Sequence, residues 1–159
     1  MTLPDRIEPI QLGAGFFWQD LAPGQLFRTL RRTVTEADLV AFIGATGMLE
    51  AIFIDAQHTG GAIQGRPVPG ALTYCLIEGF ILQTMIQSTG LALLELEQKV
   101  HAPVLVNDTI HALVTVQEVR PTSAKNRAVV TSTIEVFNQR DEKVMTYRAK
   151  RLLAGRDAD

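Results

Sequence analysis

The 159 residues carry 15 basic and 17 acidic side chains, a formal charge of -2, and 47% hydrophobic content, enough for one core of ordinary size and a single domain. The charges are spread along the chain, so no basic field exists to hold nucleic acid or an anionic membrane, and neither is expected as a partner. The single cysteine, Cys75, excludes an intrachain disulfide and suits a reducing cytoplasm; it has no companion cysteine and the histidines share no metal-ligand spacing, so no metal is expected.

Residues 1–15 hold Pro4, Pro9, Gly13 and Gly15 with little periodicity and read as an extended arm anchored by Phe16, Phe17 and Trp18. Acids come early and no apolar run of signal-peptide length follows, so no secretion signal is read. The domain itself is assigned to residues 16–154. A turn at Pro23-Gly24 leads to a strand over residues 26–34. Thr35, with Asp38 three residues on, then makes a capping box. Leu39, Phe42 and Ile43 form the apolar face of the helix that follows, which Gly44 and Gly47 bring to an end. Residues 47–66 are an irregular connection with a short helical turn near Asp55, and connections this long inside a compact domain usually serve function.

The stretch 67–88, PVPGALTYCLIEGFILQTMIQS, opens on two prolines and a glycine and reads as a long helix that is apolar around most of its circumference. Such a helix needs cover on most sides, with Cys75 as a small buried hydrophobe within it. Glu78 breaks the pattern, because a carboxylate on the apolar side is costly unless it is paired, protonated or working. After Gly90 the period changes to two, giving strands over residues 91–101, 108–120, 128–138 and 143–153. In the second of these Ile110, Ala112, Val114 and Val116 share the buried face. The polar tail, 155–159, is expected to fray.

This order predicts an α+β domain in which a curved antiparallel sheet wraps one central helix, the hotdog arrangement. Its sheet edges and apolar surface call for a dimer. The pieces D-L-A-P-G-Q, T-V-T-E-A-D-L-V-A-F, A-T-G, G-R-P-V-P-G-A-L-T, H-A-P-V-L-V-N-D-T-I and V-F-N-Q-R-D-E-K-V, in this order, resemble the MaoC-like branch of hotdog proteins, the (R)-specific enoyl-CoA hydratases and related acyl-CoA dehydratases. The resemblance implies a lyase acting on an acyl- or enoyl-CoA, with the thioester as substrate and no separate cofactor.

Hydratases of this family carry an Asp and a His in a pattern like T-G-D-x-N-P-x-H. Here Met48 and Phe53 stand at those positions, and neither side chain transfers a proton. Gly70, with Ala71 beside it, matches the family's oxyanion position, where a helix N-terminal N–H polarises the thioester carbonyl. Arg66 is a candidate for the CoA phosphates. The acid–base candidates left are Glu50, Asp55 and His58 in the connection, and Glu78 two turns after Gly70. An acid at that spacing resembles the base or nucleophile of hotdog acyl-CoA thioesterases. Three functions therefore stay open: a hydratase relative with atypical or lost chemistry, a thioesterase using Glu78, and a non-catalytic subunit that binds acyl-CoA or a partner.

Overall fold

The computed structural model describes residues 11–123 and 125–157, so most of the proposed arm lies outside the described residues. Short strands β1 (Leu26–Arg28) and β2 (Arg32–Thr33) precede helix α1 (Glu36–Thr46) and the one-turn helix α2 (Ala51–Ile54). Helix α3 (Gly70–Thr84) follows, then strands β3 (Gly90–Val100), β4 (Thr109–Pro121), β5 (Arg127–Phe137) and β6 (Lys143–Ala154). No helix among the described residues is long and apolar enough to cross a membrane.

The strand expected over residues 26–34 is broken. Arg28 pairs with Leu113 and Arg32 with Ile110, so four steps along one chain meet three along the other, and one residue must bulge. Thr29 absorbs it, its Oγ1 accepting the Ala112 N–H at 2.8 Å in place of a backbone carbonyl. The capping box forms as the sequence implies: Asp38 N–H donates to Thr35 Oγ1, and Thr35 N–H donates to Asp38. Gly47, at φ 73°, ends α1 in the left-handed conformation that glycine adopts most readily. Gly44, expected to help end it, lies inside the helix.

The antiparallel sheet runs β1-β4-β5-β6-β3, with β2 also on β4. The strand after α3 therefore lies at the far edge beside β6 rather than next to β4, and the chain crosses the end of the sheet to reach β4. That crossing fixes the start of α3. Val68 N–H donates to Val104 O at 2.9 Å, and Val106 N–H to Arg66 O at 2.9 Å. Buried Asp108 holds the crossing in shape, accepting from Leu105 N–H and from the Gln139 amide.

The inner faces of β4, β5 and β6 close over one side of α3. Ile77 and Ile81 pack among Ile110, Ala112, Val114, Ile134 and Tyr147, all at most 2% exposed. The other side of α3 is bare. Cys75 is exposed rather than buried, Leu82 is 51% exposed, and every residue of β3 is exposed, including Leu93 and Leu96. One chain supplies too little sheet to cover this helix all round. At the described start of the C-terminal tail, Gly155 N–H bonds Asn126 O, and Arg156 binds Asp20 at 2.9 Å beside the Phe17 ring.

Candidate functional site

Helix α3 begins at Gly70 behind Pro69, whose N-cap position offers no side-chain acceptor. Leu72 and Thr73 N–H both donate to Pro69 O, at 2.9 and 3.3 Å, while the N–H groups of Gly70 and Ala71 find no acceptor among the described residues. A Cβ on Gly70 would sit 3.4 Å from Val100 Cγ2 and 3.9 Å from Met145 Cε, which is ordinary contact, and its φ is not positive. The fold alone does not demand glycine here. Close approach of another group is what its bare Cα permits.

A cavity of about 370 Å3 opens at this point, between the α3 start, α2 and the ends of β3 and β6. Its walls include Ile52, Phe53, Ile63, Val104 and Met145, with Thr73 as the polar side chain from α3. His101 borders the cavity, but its Nε2 lies 2.9 Å from the hydroxyl of Thr146, a residue that alternates with the inward-facing Met145 and Tyr147. The imidazole is thereby held on the outer face of the sheet.

Of the residues singled out in the sequence, Phe53 and Gly70 meet at this cavity. Met48 is 41% exposed and lies outside its wall, as does Ala71. Glu50 caps α2, accepting the Ile52 N–H at 3.0 Å. Asp55 closes a turn by accepting the Gln57 N–H at 2.8 Å. Asp55, His58 and Arg66 line a second, smaller chamber of about 260 Å3, which shares Ile52, Ile63 and Pro67 with the first. Arg66 ties three elements together: Nη1 pairs with Glu36 at the start of α1 at 2.6 Å, and Nη2 donates to the Phe53 carbonyl at the end of α2 at 3.3 Å.

Glu78 lies elsewhere. Its Oε1 accepts from the Tyr147 hydroxyl at 2.7 Å and from Arg151 Nη2 at 2.5 Å, both from β6. Burial, then the adjacent Glu78 carboxylate, push the Tyr147 phenol far above its ordinary range, so it stays a donor. The same two causes raise Tyr74, whose ring meets Tyr147 edge-on at 5.1 Å, and Cys75. This cluster borders a trough of about 640 Å3 between the bare flank of α3 and β3, and Gly70 is not part of it. Tyr147 and Arg151 were not singled out in the sequence, yet the period of β6 carries a signal. Met145, Tyr147, Ala149, Arg151 and Leu153 share one buried face, and a cation there needs an acid opposite.

A curved sheet closed over one helix, with a cavity at that helix's N-terminus, defines a single hotdog domain. Residues 22–147 match the family model described as FAS1-like, dehydratase domain region, and the chain belongs to that family. Among solved structures it is similar to the MaoC-like dehydratase from Rhodospirillum rubrum, at 25% identity and TM-score 0.81 over 91% of this chain and 100% of that one. The R-hydratase PhaJ1 from Pseudomonas aeruginosa shares the fold at 23% identity and TM-score 0.75, over 89% of this chain and 88% of its own. Rv0216 from Mycobacterium tuberculosis, described as a double hotdog fold, shares it at 17% identity and TM-score 0.78, over 94% of this chain and 47% of its own. No curated protein sequence matches the chain.

Proposed function

We propose that this dehydratase-family domain binds an acyl or enoyl thioester such as acyl-CoA, its carbonyl at the Gly70 N–H and its acyl chain in the adjoining cavity, without the usual hydratase chemistry. One observation supports the reading: the cavity joins the Gly70 N–H, which has no acceptor among the described residues, to a wall of apolar side chains, and none of Glu50, Asp55, His58 or Glu78 lines it. Unpaired N–H groups beside an apolar slot suit a polarised carbonyl with an alkyl tail. Hydration also needs a group that moves a proton within hydrogen-bond reach of the substrate, and Phe53 is not one.

Calorimetry with saturated acyl-CoAs and matched 2-enoyl-CoAs tests both halves. Binding without loss of the enoyl absorbance is expected; turnover of the enoyl-CoA overturns the loss of chemistry, and absence of binding overturns the thioester site. A thioesterase using Glu78 has less support, since that acid is bonded to Arg151 and Tyr147 in a separate trough. The thioester is the only small molecule this reading requires, and a chain with one cysteine suits the reducing cytoplasm.

The domain works, on this proposal, as a homodimer. The flank of α3 and strand β3 leave Leu82, Leu91, Leu93, Leu94 and Leu96 exposed, and the outer edge of β3 pairs with no strand among the described residues. Light scattering should give twice the monomer mass. A monomer at micromolar concentration would count against it.

A further inference from the structure

The approach to Gly70 is held by a segment far from it in the chain. Pro67 and Pro69 stiffen residues 66–69, and Pro69 gives α3 no side-chain cap, so the start of the helix is oriented by what this approach docks on. It docks on the crossing between β3 and β4, where the Val68 N–H bonds the Val104 carbonyl and the Arg66 carbonyl bonds the Val106 N–H. The same crossing ties down the entry to α1, since Val34 N–H donates to Asp108 O at 2.8 Å and Asn107 N–H to Val34 O at 2.7 Å. Resting on the thioester reading above, we infer that Asp108, locked to Gln139, is a positioning residue for the carbonyl site: it sets where the Gly70 N–H points.

Asp108 is buried, and both of its carboxylate oxygens are committed. Oδ2 accepts the Leu105 N–H at 2.9 Å, which closes the turn 105–108, and Oδ1 accepts the Gln139 amide at 2.7 Å, with Arg140 Nη1 3.6 Å away. Gln139 completes the link by accepting the Thr109 N–H at 2.9 Å. It belongs to the turn between β5 and β6, which is braced from within: the fully buried Asn138 accepts the Arg140 and Glu142 N–H groups and donates to the Glu142 carboxylate. The β5–β6 hairpin therefore holds the crossing, and the crossing holds the start of α3. Neither Asp108 nor Gln139 lines the cavity, so both act only through the backbone they fix. A hydrogen bond weakens steeply as its donor turns away, whereas apolar burial has no direction, so a shift of this approach costs the carbonyl contact before it costs the acyl one.

Two ligands of the same chain length separate this inference from its parent: an acyl-CoA, and the S-alkyl-CoA thioether, which lacks the carbonyl. Calorimetry on the wild-type chain should show the thioester binding about tenfold more tightly. In Asp108→Asn the introduced amide sets an N–H against either the Leu105 N–H or the Gln139 amide, and flipping Gln139 only moves the mismatch to the Thr109 N–H. The preference should fall to about one, with the thioether's affinity within about twofold of wild type. Gln139→Ala, which removes the same link from an exposed position, should do likewise. Adding Gln139→Glu to Asp108→Asn restores every bond, because the new carboxylate accepts both the introduced amide and the Thr109 N–H, and the preference should return to within about threefold of wild type. A preference unchanged in either folded single variant overturns the inference, as does equal weakening of both ligands, or a double variant that regains melting temperature without regaining the preference. If the wild-type chain binds neither ligand, or binds both equally, the Gly70 carbonyl site itself is wrong and the inference falls with it.

Discussion

Replacing Glu78 with Gln separates a structural role for this acid from a chemical one. Gln keeps the size and can still accept from the Tyr147 hydroxyl, but removes the charge opposite Arg151. The Glu78 and Arg151 side chains are 11% and 8% exposed, so water reaches the pair only from the trough and replaces little of the lost charge. Breaking a buried pair by removing one partner costs about 3–5 kcal/mol, most of it the penalty on the charge left behind. At about 2–4 °C per kcal/mol for a chain of this length, Glu78→Gln should melt roughly 6–20 °C below wild type. Urea denaturation followed by circular dichroism gives the free energy directly. The double variant Glu78→Gln, Arg151→Met should recover much of the loss, because no unpaired cation remains. A single variant within about 1 kcal/mol of wild type, or a double variant less stable than the single, would refute the reasoning.

Gly70→Ala should fold with little change in melting temperature, since its Cβ meets only ordinary contacts, yet weaken thioester binding about tenfold by crowding the carbonyl; equal affinity by calorimetry would remove Gly70 from the site. Gly15 is different, because a Cβ there would lie 2.5 Å from Gln87 N and 2.7 Å from Ile86 C, so Gly15→Ala should cost about 1–3 kcal/mol in denaturant titration as the arm lifts off the end of α3. The His111 pKa lies below its ordinary 6.5, held there by burial first and then by Arg28 and Arg31. The unfolded chain therefore takes up this proton at a higher pH than the folded one, and the contribution present above pH 6.5 is lost as pH falls. Melting temperatures between pH 7.5 and about 5 should decline less steeply in His111→Gln, and parallel curves would exclude this group as a cause.

The period-two pattern of β4 showed which of its residues face the core, because one face of that strand is buried within a single chain. The same rule says little about β3. Its residues are exposed whichever way they point when no second layer covers them, so Leu94 and Leu96, alternating with Glu95 and Glu97, carried the pattern without the burial. Cys75 illustrates the limit again: helical periodicity showed an apolar circumference, but only the arrangement of strands decides which arc of it the sheet covers. At the site, the helix N-terminus at Gly70 was readable from Pro-Val-Pro-Gly. The partners of Glu78 were not, since they come from a strand about seventy residues later and long-range pairing leaves no local trace. The small chamber was equally hidden, as its walls come from an irregular connection with no period.

The strapping of residues 66–68 to 104–106 also bears on how the molecule folds. The Pro67–Leu105 bridge closes a loop that contains α3 and β3 entire, so it joins parts of the chain far apart in sequence. Hairpins such as β4–β5 and β5–β6 close at much lower entropic cost and can form first. The binding end of α3 should then be among the last parts to lock and the first to open. Substitutions at Val68 or Val104 are expected to speed unfolding while leaving the folding rate nearly unchanged, and a thioester bound as proposed, by holding this end closed, would slow the unfolding of the whole domain.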